Sequence, residues 1–159
     1  MPRRPAKPAT PIYLERVALW YLERYGGSEA KLRRTLGKRV RRSVNELDTD
    51  PAEGREAVEQ VVAKMRRLGY LDDAKLARQR AQTLSRRGKS RRAIQADLYR
   101  QGLDTDVDAL LEETGHDELE SARAFVRKRR LGTDRNRDLA KLARAGFSYD
   151  VARRALDEA

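Results

Sequence analysis

Cysteine is absent from the chain. Disulfides, thiolate metal sites and a cysteine nucleophile are thereby excluded. Histidine occurs once, as His116 in an acidic stretch, and the sequence places no nucleophile or orienting partner beside it, so no catalytic role falls to it. Aromatics are scarce, with two Phe and one Trp, and β-branched residues are few, which argues against a sheet core. Four of the five prolines fall within residues 1–11, leaving the rest of the chain almost free of helix breakers. No apolar run is long enough for a membrane helix or a signal peptide, so a cytoplasmic protein is expected. There is no P-loop, no glycine-rich phosphate cradle, no metal-ligand spacing and no triad. The expectation is a protein that is no enzyme and holds neither metal nor cofactor.

What is abundant is charge. Charged residues make up 38% of the 159 residues, and 36 Lys and Arg against 25 Asp and Glu give a net charge of +11. That excess suits a polyanionic partner: nucleic acid, or a protein itself seated on nucleic acid. Ala, Leu, Arg, Glu and Lys dominate, and all favour helix. An apolar fraction of 39% is lean for one large core but sufficient for small helical bundles.

Residues 1–11, "MPRRPAKPATP", have nothing apolar to bury and read as a disordered basic arm. From Ile12 the period is helical, with Leu14, Val17, Ala18, Tyr21, Leu22 and Tyr25 on one stripe and Trp20 off its centre. Gly26-Gly27 stops that helix. Ser28 is placed to cap the next, with Leu32 and Leu36 inward. The polar stretch from Gly37 to Glu56 reads as an insertion ending in the turn or helix start Asp50-Pro51. "REAVEQVVAKMRRLG" is amphipathic, with Val58, Val61, Val62, Met65 and Leu68 inward and Gly69 as its stop. In "LDDAKL", residues 71–76, Asp72 reads as the cap of a new helix, Asp73 as a first-turn charge, and Leu71 and Leu76 as a hydrophobic staple. A metal-binding reading of the two aspartates would need further ligands nearby, which the sequence does not supply.

The pattern recurs. Gly88 breaks a helix, Ser90 caps another, Ile94 and Leu98 turn inward, and Gly102 ends it. Leu103-Asp104 reads as a second staple and cap, followed by a short helix in "TDVDALLEE". Residues 104–118 carry seven acidic residues and no Lys or Arg, and read as an acidic hinge. "LESARAFVRKRR" opens a further helix with Ala122, Phe125 and Val126 inward. At an offset of 44, "LYRQGLDTDVDALL" from Leu98 matches "LARAGFSYDVARRA" from Leu142, pairing Leu98 with Leu142, Gly102 with Gly146, Leu103 with Phe147, Asp106 with Asp150 and Val107 with Val151. Self-similarity at a fixed period signals a tandem array. The fold expected is all-α: an elongated, curved array of three three-helix, helix-turn-helix-like repeats over 12–71, 72–115 and 116–159.

These residues resemble those of the RecX family of recombination regulators. The resemblance is carried by "GYLDD" at 69–73, Ala77, Arg80, "RRG" at 86–88, Arg92, Ile94, Leu98 and "QGLD" at 101–104. "SEAKLRRTL" at 28–36 is similar to that family's first repeat, and "LARAGFSYDVARRAL" to its C-terminal end. The resemblance covers roughly residues 13–156. It implies a monomer that binds the RecA recombinase filament on DNA, in the filament's helical groove, and inhibits ATP hydrolysis and strand exchange. Nucleic acid itself would be contacted weakly or through the filament.

Candidate binding residues follow from charge density. Residues 73–103 hold nine Lys or Arg against two Asp. Within that segment Arg86, Arg87, Lys89, Arg91 and Arg92 surround the junction at Gly88 and Ser90. The helix N-terminus after Ser90 adds partial positive charge, suited to a carboxylate or phosphate. Arg127, Lys128, Arg129 and Arg130 form a second cluster, and Lys38, Arg39, Arg41 and Arg42 a third. Tyr70 and Tyr99 flank the basic segment as possible stacking surfaces, with packing the expected role of Tyr70. The alternative to a filament regulator is a direct DNA-binding protein whose recognition helix, "SRRAIQADLYRQ", offers Arg91, Arg92 and Gln95 to base edges.

Overall fold

Short polar side chains start nearly every element. Thr10, Ser28, Asp50, Ser90, Asp106, Asp117, Asp134 and Ser148 each accept a backbone N–H from the first turn that follows, filling part of the donor deficit of a helix start. The helices they begin are seen in a computed structural model that describes residues 3–159. They are α1 (Pro11–Tyr25), α2 (Glu29–Leu47), α3 (Pro51–Arg67), α4 (Asp73–Arg86), α5 (Arg91–Arg100), α6 (Val107–Glu113), α7 (Glu118–Arg129), α8 (Arg135–Arg144) and α9 (Tyr149–Asp157). The described residues are all-α, with no strand and no helix long and apolar enough to cross a membrane.

The chain divides into two compact units, one ending at Asp73 and the other beginning at Ala74. In the first, α1, α2 and α3 enclose a core of Leu14, Ala18, Leu22, Leu32, Leu36, Val40, Val58, Val61, Val62 and Met65, closed by Leu71. Each fully buried Leu or Val there contributes roughly 1.5–3 kcal/mol by leaving water. The second unit holds two further cores. One is built on Ala77, Ala81, Ile94, Leu98, Leu103 and Leu110; the other on Ala122, Val126, Leu142, Phe147, Ala152 and Leu156.

Several local expectations change. Residues 37–47 are not an insertion but the second half of α2, because Val40 and Ser43 continue the inward stripe begun by Leu32 and Leu36. Helix α3 starts at Pro51, capped by Asp50, and so absorbs the rest of the expected insertion. Leu68 and Tyr25 lie off their stripes at helix ends and are exposed. The arm also has a course. Met1 and Pro2 lie outside the described residues, but the Ala9 N–H donates to Ser43 Oγ at 3.2 Å, Arg42 donates to the Arg4 carbonyl, and Pro11 already belongs to α1. The cap of α6 is Asp106 and not Asp104, and α9 is capped by Ser148. The internal repeat therefore aligns through Gly102 and Gly146 and then slips by two residues.

That aligned pair shows why the repeat keeps glycine. Gly102 and Gly146 take φ of 72° and 97°, and the residues after them, Leu103 and Phe147, turn back to bond the carbonyls of Leu98 and Leu142 at 3.0 and 3.1 Å. This is the αL helix ending that hands an apolar side chain to the core. Gly54 has a different reason. A Cβ there would lie 2.4 Å from Val40 Cγ1, so glycine sets how closely α2 and α3 approach. Gly37, in mid-α2, would meet nothing within 4 Å. Gly54→Ala is expected to destabilise by about 1–3 kcal/mol through overpacking, while Gly37→Ala gains up to about 1 kcal/mol of helix propensity; urea midpoints of the two variants against the parent should move in opposite directions.

Asp138 is buried in the second unit. Its carboxylate accepts the Gly132 N–H at 2.8 Å and Lys141 Nζ at 3.0 Å, and these contacts, the backbone one foremost, hold its carboxyl below the usual aspartate range. A depressed folded-state pKa contributes stability above the unfolded value and loses it as pH falls through the folded one. Asp138→Asn should therefore shrink the drop in stability between pH 6 and pH 3, read as the difference in urea midpoint at the two pH values.

Candidate functional site

The junction between α4 and α5 is built from short-range constraints. Helix α4 ends at Arg86, and Gly88 turns the chain with a φ of 74°. A Cβ on Gly88 would stand 3.1 Å from the Ser121 carbonyl oxygen and the Ala124 Cβ of α7, so the turn is seated on that helix. Ser90 caps α5 by accepting the Ala93 N–H at 3.1 Å and donates to the Ala145 carbonyl at 2.7 Å. The turn after α8 meets it from the other side: a Cβ on Gly146 would be 2.6 Å from Ser90 Oγ. The basic turn is thus held rigidly within the second unit.

The helix N-terminus at Ser90, expected to be open to an external anion, already has an internal one. Glu118 Oε2 accepts the Arg91 N–H at 2.8 Å. The same oxygen lies 2.7 Å from Nε2 of His116, whose Nδ1 is 2.7 Å from Ser85 Oγ. His116 therefore has the two neighbours its sequence context did not reveal, contributed by α4 and α7. Its side chain is 5% exposed, and the relay Ser85–His116–Glu118 ties the end of α4 to the starts of α5 and α7. Two positions separate His116 from Glu118, but 31 separate it from Ser85, so only the fold could reveal the full set.

Arg91 is likewise engaged. Its guanidinium grips Asp108 of α6 at 2.5 and 2.8 Å and reaches Gln95 Oε1 at 3.3 Å. The hydrogen bond and charge of Arg91 hold the Asp108 carboxyl below its usual range and raise the arginine's own pKa. Two of the three side chains that a recognition helix would offer to bases are thus tied to each other. The acidic stretch 104–118, expected to be a hinge, includes α6 and supplies these internal counter-charges. Asp97 plays a similar part, buried against Arg80 through contacts of 2.6 Å.

What remains outward around the junction is Arg86, Arg87, Lys89 and Arg92, all exposed and with no ion pair among the described residues. Arg86 and Arg127 line one cavity of about 450 Å³ together with Gln82 and Ser121, so the fold brings the first two basic clusters to a common edge. Asp117 and Glu120 share that cavity. In the second cluster Lys128 is exposed and Arg129 lies 5.5 Å over the Phe125 ring. Arg130 takes a left-handed φ of 51°, doing at the end of α7 what glycine does elsewhere.

The third cluster belongs to the first unit and splits by helix face. Arg42 pairs with Glu46 at 2.8 Å, whereas Lys38, Arg39 and Arg41 have no ion pair among the described residues. Tyr99 is 84% exposed beside Arg100, an available stacking surface. Tyr70 is 49% exposed, not packed away as expected, because it follows the αL glycine at the end of α3.

Asp73 falls in the first turn of α4, as the sequence predicts, and has a second role that the sequence does not show. Asp73 is the first residue of α4, and its carboxylate accepts the Glu29 N–H at 3.0 Å, so it supports the start of α2. Burial raises its pKa, opposed by that hydrogen bond. Glu29 in turn is held below its usual range by Arg66, at 2.6 and 2.8 Å. Leu71 is buried in the first core, and Leu76 packs against the core of α4, α5 and α6. Replacing Arg86, Arg87, Lys89 and Arg92 together with Ala should leave the circular dichroism spectrum unchanged, since none is buried and none has an ion pair among the described residues. The same replacement should flatten the salt dependence of any polyanion or filament binding by about one log–log unit for each phosphate no longer neutralised.

Comparison with known proteins places this geometry. A family profile described as RecX, second three-helix domain, matches residues 72–107, the stretch containing α4, α5 and the turn between them. The chain is 38% identical to a protein named Regulatory protein RecX from Myxococcus xanthus, over 98% of this chain and 90% of the relative. It is 34% identical to a protein of the same name from Corynebacterium efficiens, over 91% of this chain and 72% of that relative. No solved structure matches it.

Proposed function

The chain belongs to the RecX family, and from that premise we propose that it is a non-catalytic regulator of homologous recombination and DNA repair that binds the RecA filament on DNA and inhibits its ATPase and strand-exchange activities. The observation that carries this reading is the near-full-length likeness to proteins named as regulators. The surface is consistent with it: basic side chains are left outward at the α4–α5 turn while acidic residues of the same unit are taken up by internal pairs. Such a surface suits a partner coated on DNA. In this reading Arg86, Arg87, Lys89 and Arg92 are the principal contacts, Arg127 and Lys128 extend them, and Arg91 positions α5 instead of touching the partner. DNA is met weakly or through the filament, and the protein works as a cytoplasmic monomer.

The direct DNA-binding alternative is disfavoured by the engagement of Arg91 with Asp108 and Gln95. The test is ATP hydrolysis by RecA on single-stranded DNA with this protein titrated at substoichiometric amounts, beside an unrelated DNA-dependent ATPase on the same DNA. Loss of RecA activity alone is the expected result. Equal loss in both reactions would mean that the protein coats DNA, and no loss in either would refute filament inhibition.

A further inference from the structure

A groove of about 630 Å³ runs between α2 and α3 in the first unit. Gly37, Val44 and Val58 contribute an apolar floor, and Arg34, Arg41 and Arg55 stand at its rim. All three arginines are exposed, and none has an ion pair among the described residues. The single carboxylate on the groove, Glu59, is already bound by Arg33 at 2.9 and 3.2 Å.

From these features we propose that the groove is a docking site for an acidic protein segment that carries aliphatic side chains on one face. Arg34, Gly37, Arg41 and Val44 follow one another at spacings of three, four and three along α2, a stripe distinct from the buried one through Leu32, Leu36 and Val40. Arg55 and Val58 answer it from α3 at the same helical spacing. The occupant lays its aliphatic side chains on the valines and presents carboxylates to the rim, where guanidinium binds them in the paired geometry it favours. Charge complementarity sets the sign: three cations with no ion pair among the described residues, and a fourth already neutralised, leave the groove basic. The floor sets the class: it offers no aromatic ring on which a base would stack, and hydrated phosphate gains nothing from valine.

Gly37 supports the same assignment. Glycine weakens a helix interior, and Gly54 across the groove is explained by the close approach of Val40, yet among the described residues no atom lies within 4 Å of a Cβ built at Gly37. Its openness keeps the floor clear. This site is independent of filament inhibition and stands or falls by its own test.

The probe is a fluorescein-labelled synthetic helix of Glu and Leu with its leucines at i, i+3, i+4 and i+7, followed by fluorescence anisotropy on the full chain. A scrambled peptide of equal composition serves as its control. The expected result is that the patterned helix binds roughly tenfold or more tighter than the scrambled one, about one buried apolar side chain's worth. Gly37→Leu, which plugs the floor and favours helix, should abolish that margin while its circular dichroism and melting temperature are retained. The combined Arg34→Glu, Arg41→Glu and Arg55→Glu variant should abolish it as well. Equal binding of patterned and scrambled peptides would overturn the proposal, as would undiminished binding by folded Gly37→Leu. Displacement of the peptide by oligothymidylate would overturn it too, by making the groove a nucleic-acid surface.

Discussion

Helix ends are the constraint on which this architecture depends. A helix leaves its first N–H groups and last carbonyls without intrahelical partners, and short helices carry proportionally more of them. Nine helices among the described residues multiply the problem. In the second unit it is solved across the chain as well as locally. Glu118 takes the first N–H of α5 and also holds His116, which holds Ser85. Ser90 caps its own helix and binds the last turn of α8 through Ala145. The polar groups that would otherwise be orphaned are the joints, which is why the turn at Gly88–Ser90 is a fixed platform for its exposed arginines and lysine.

The same economy governs charge. A chain with 11 more cations than anions has no acid to spare. Many of its acidic groups are committed: Asp108 to Arg91, Asp97 to Arg80, Asp138 to Gly132 and Lys141, Glu29 to Arg66 and Arg33. Internal pairing does more than offset charge, because it selects which cations stay free. Arg91 is removed from the basic cluster by an acid 17 positions away, and Arg42 by one four positions away. Among the described residues, cations without an ion pair remain at the α4–α5 turn, at the end of α7 and along α2.

Legibility divides along the same line. The caps Ser28 and Ser90 and the apolar stripes of α3, α5 and α7 can be read directly, because capping and amphipathic periodicity are local properties of the chain. The polar second half of α2 reads as an insertion because only Val40 and Ser43 mark its inward face, and the close approach of Val40 to Gly54 is invisible along the chain. Asp104 looks as good a cap as Asp106, since both follow a turn with an acidic side chain; the geometry of the turn decides between them. Charge density locates the basic clusters but cannot separate bound arginines from free ones, as partners such as Arg91 and Asp108 are remote in sequence.

By itself the sequence determined the all-α class, the repeated three-helix rhythm and the family likeness, because each is written in spacing and order along the chain. The tertiary structure decided the rest: that Asp73 supports α2, that Glu118 occupies the α5 terminus, that Arg86 and Arg127 share one cavity, and that α2 and α3 leave a basic groove open above Gly37. Those outcomes depend on pairs of groups brought together by the packing of separate helices. Periodicity assigns a residue to a face; only packing assigns the face its neighbour.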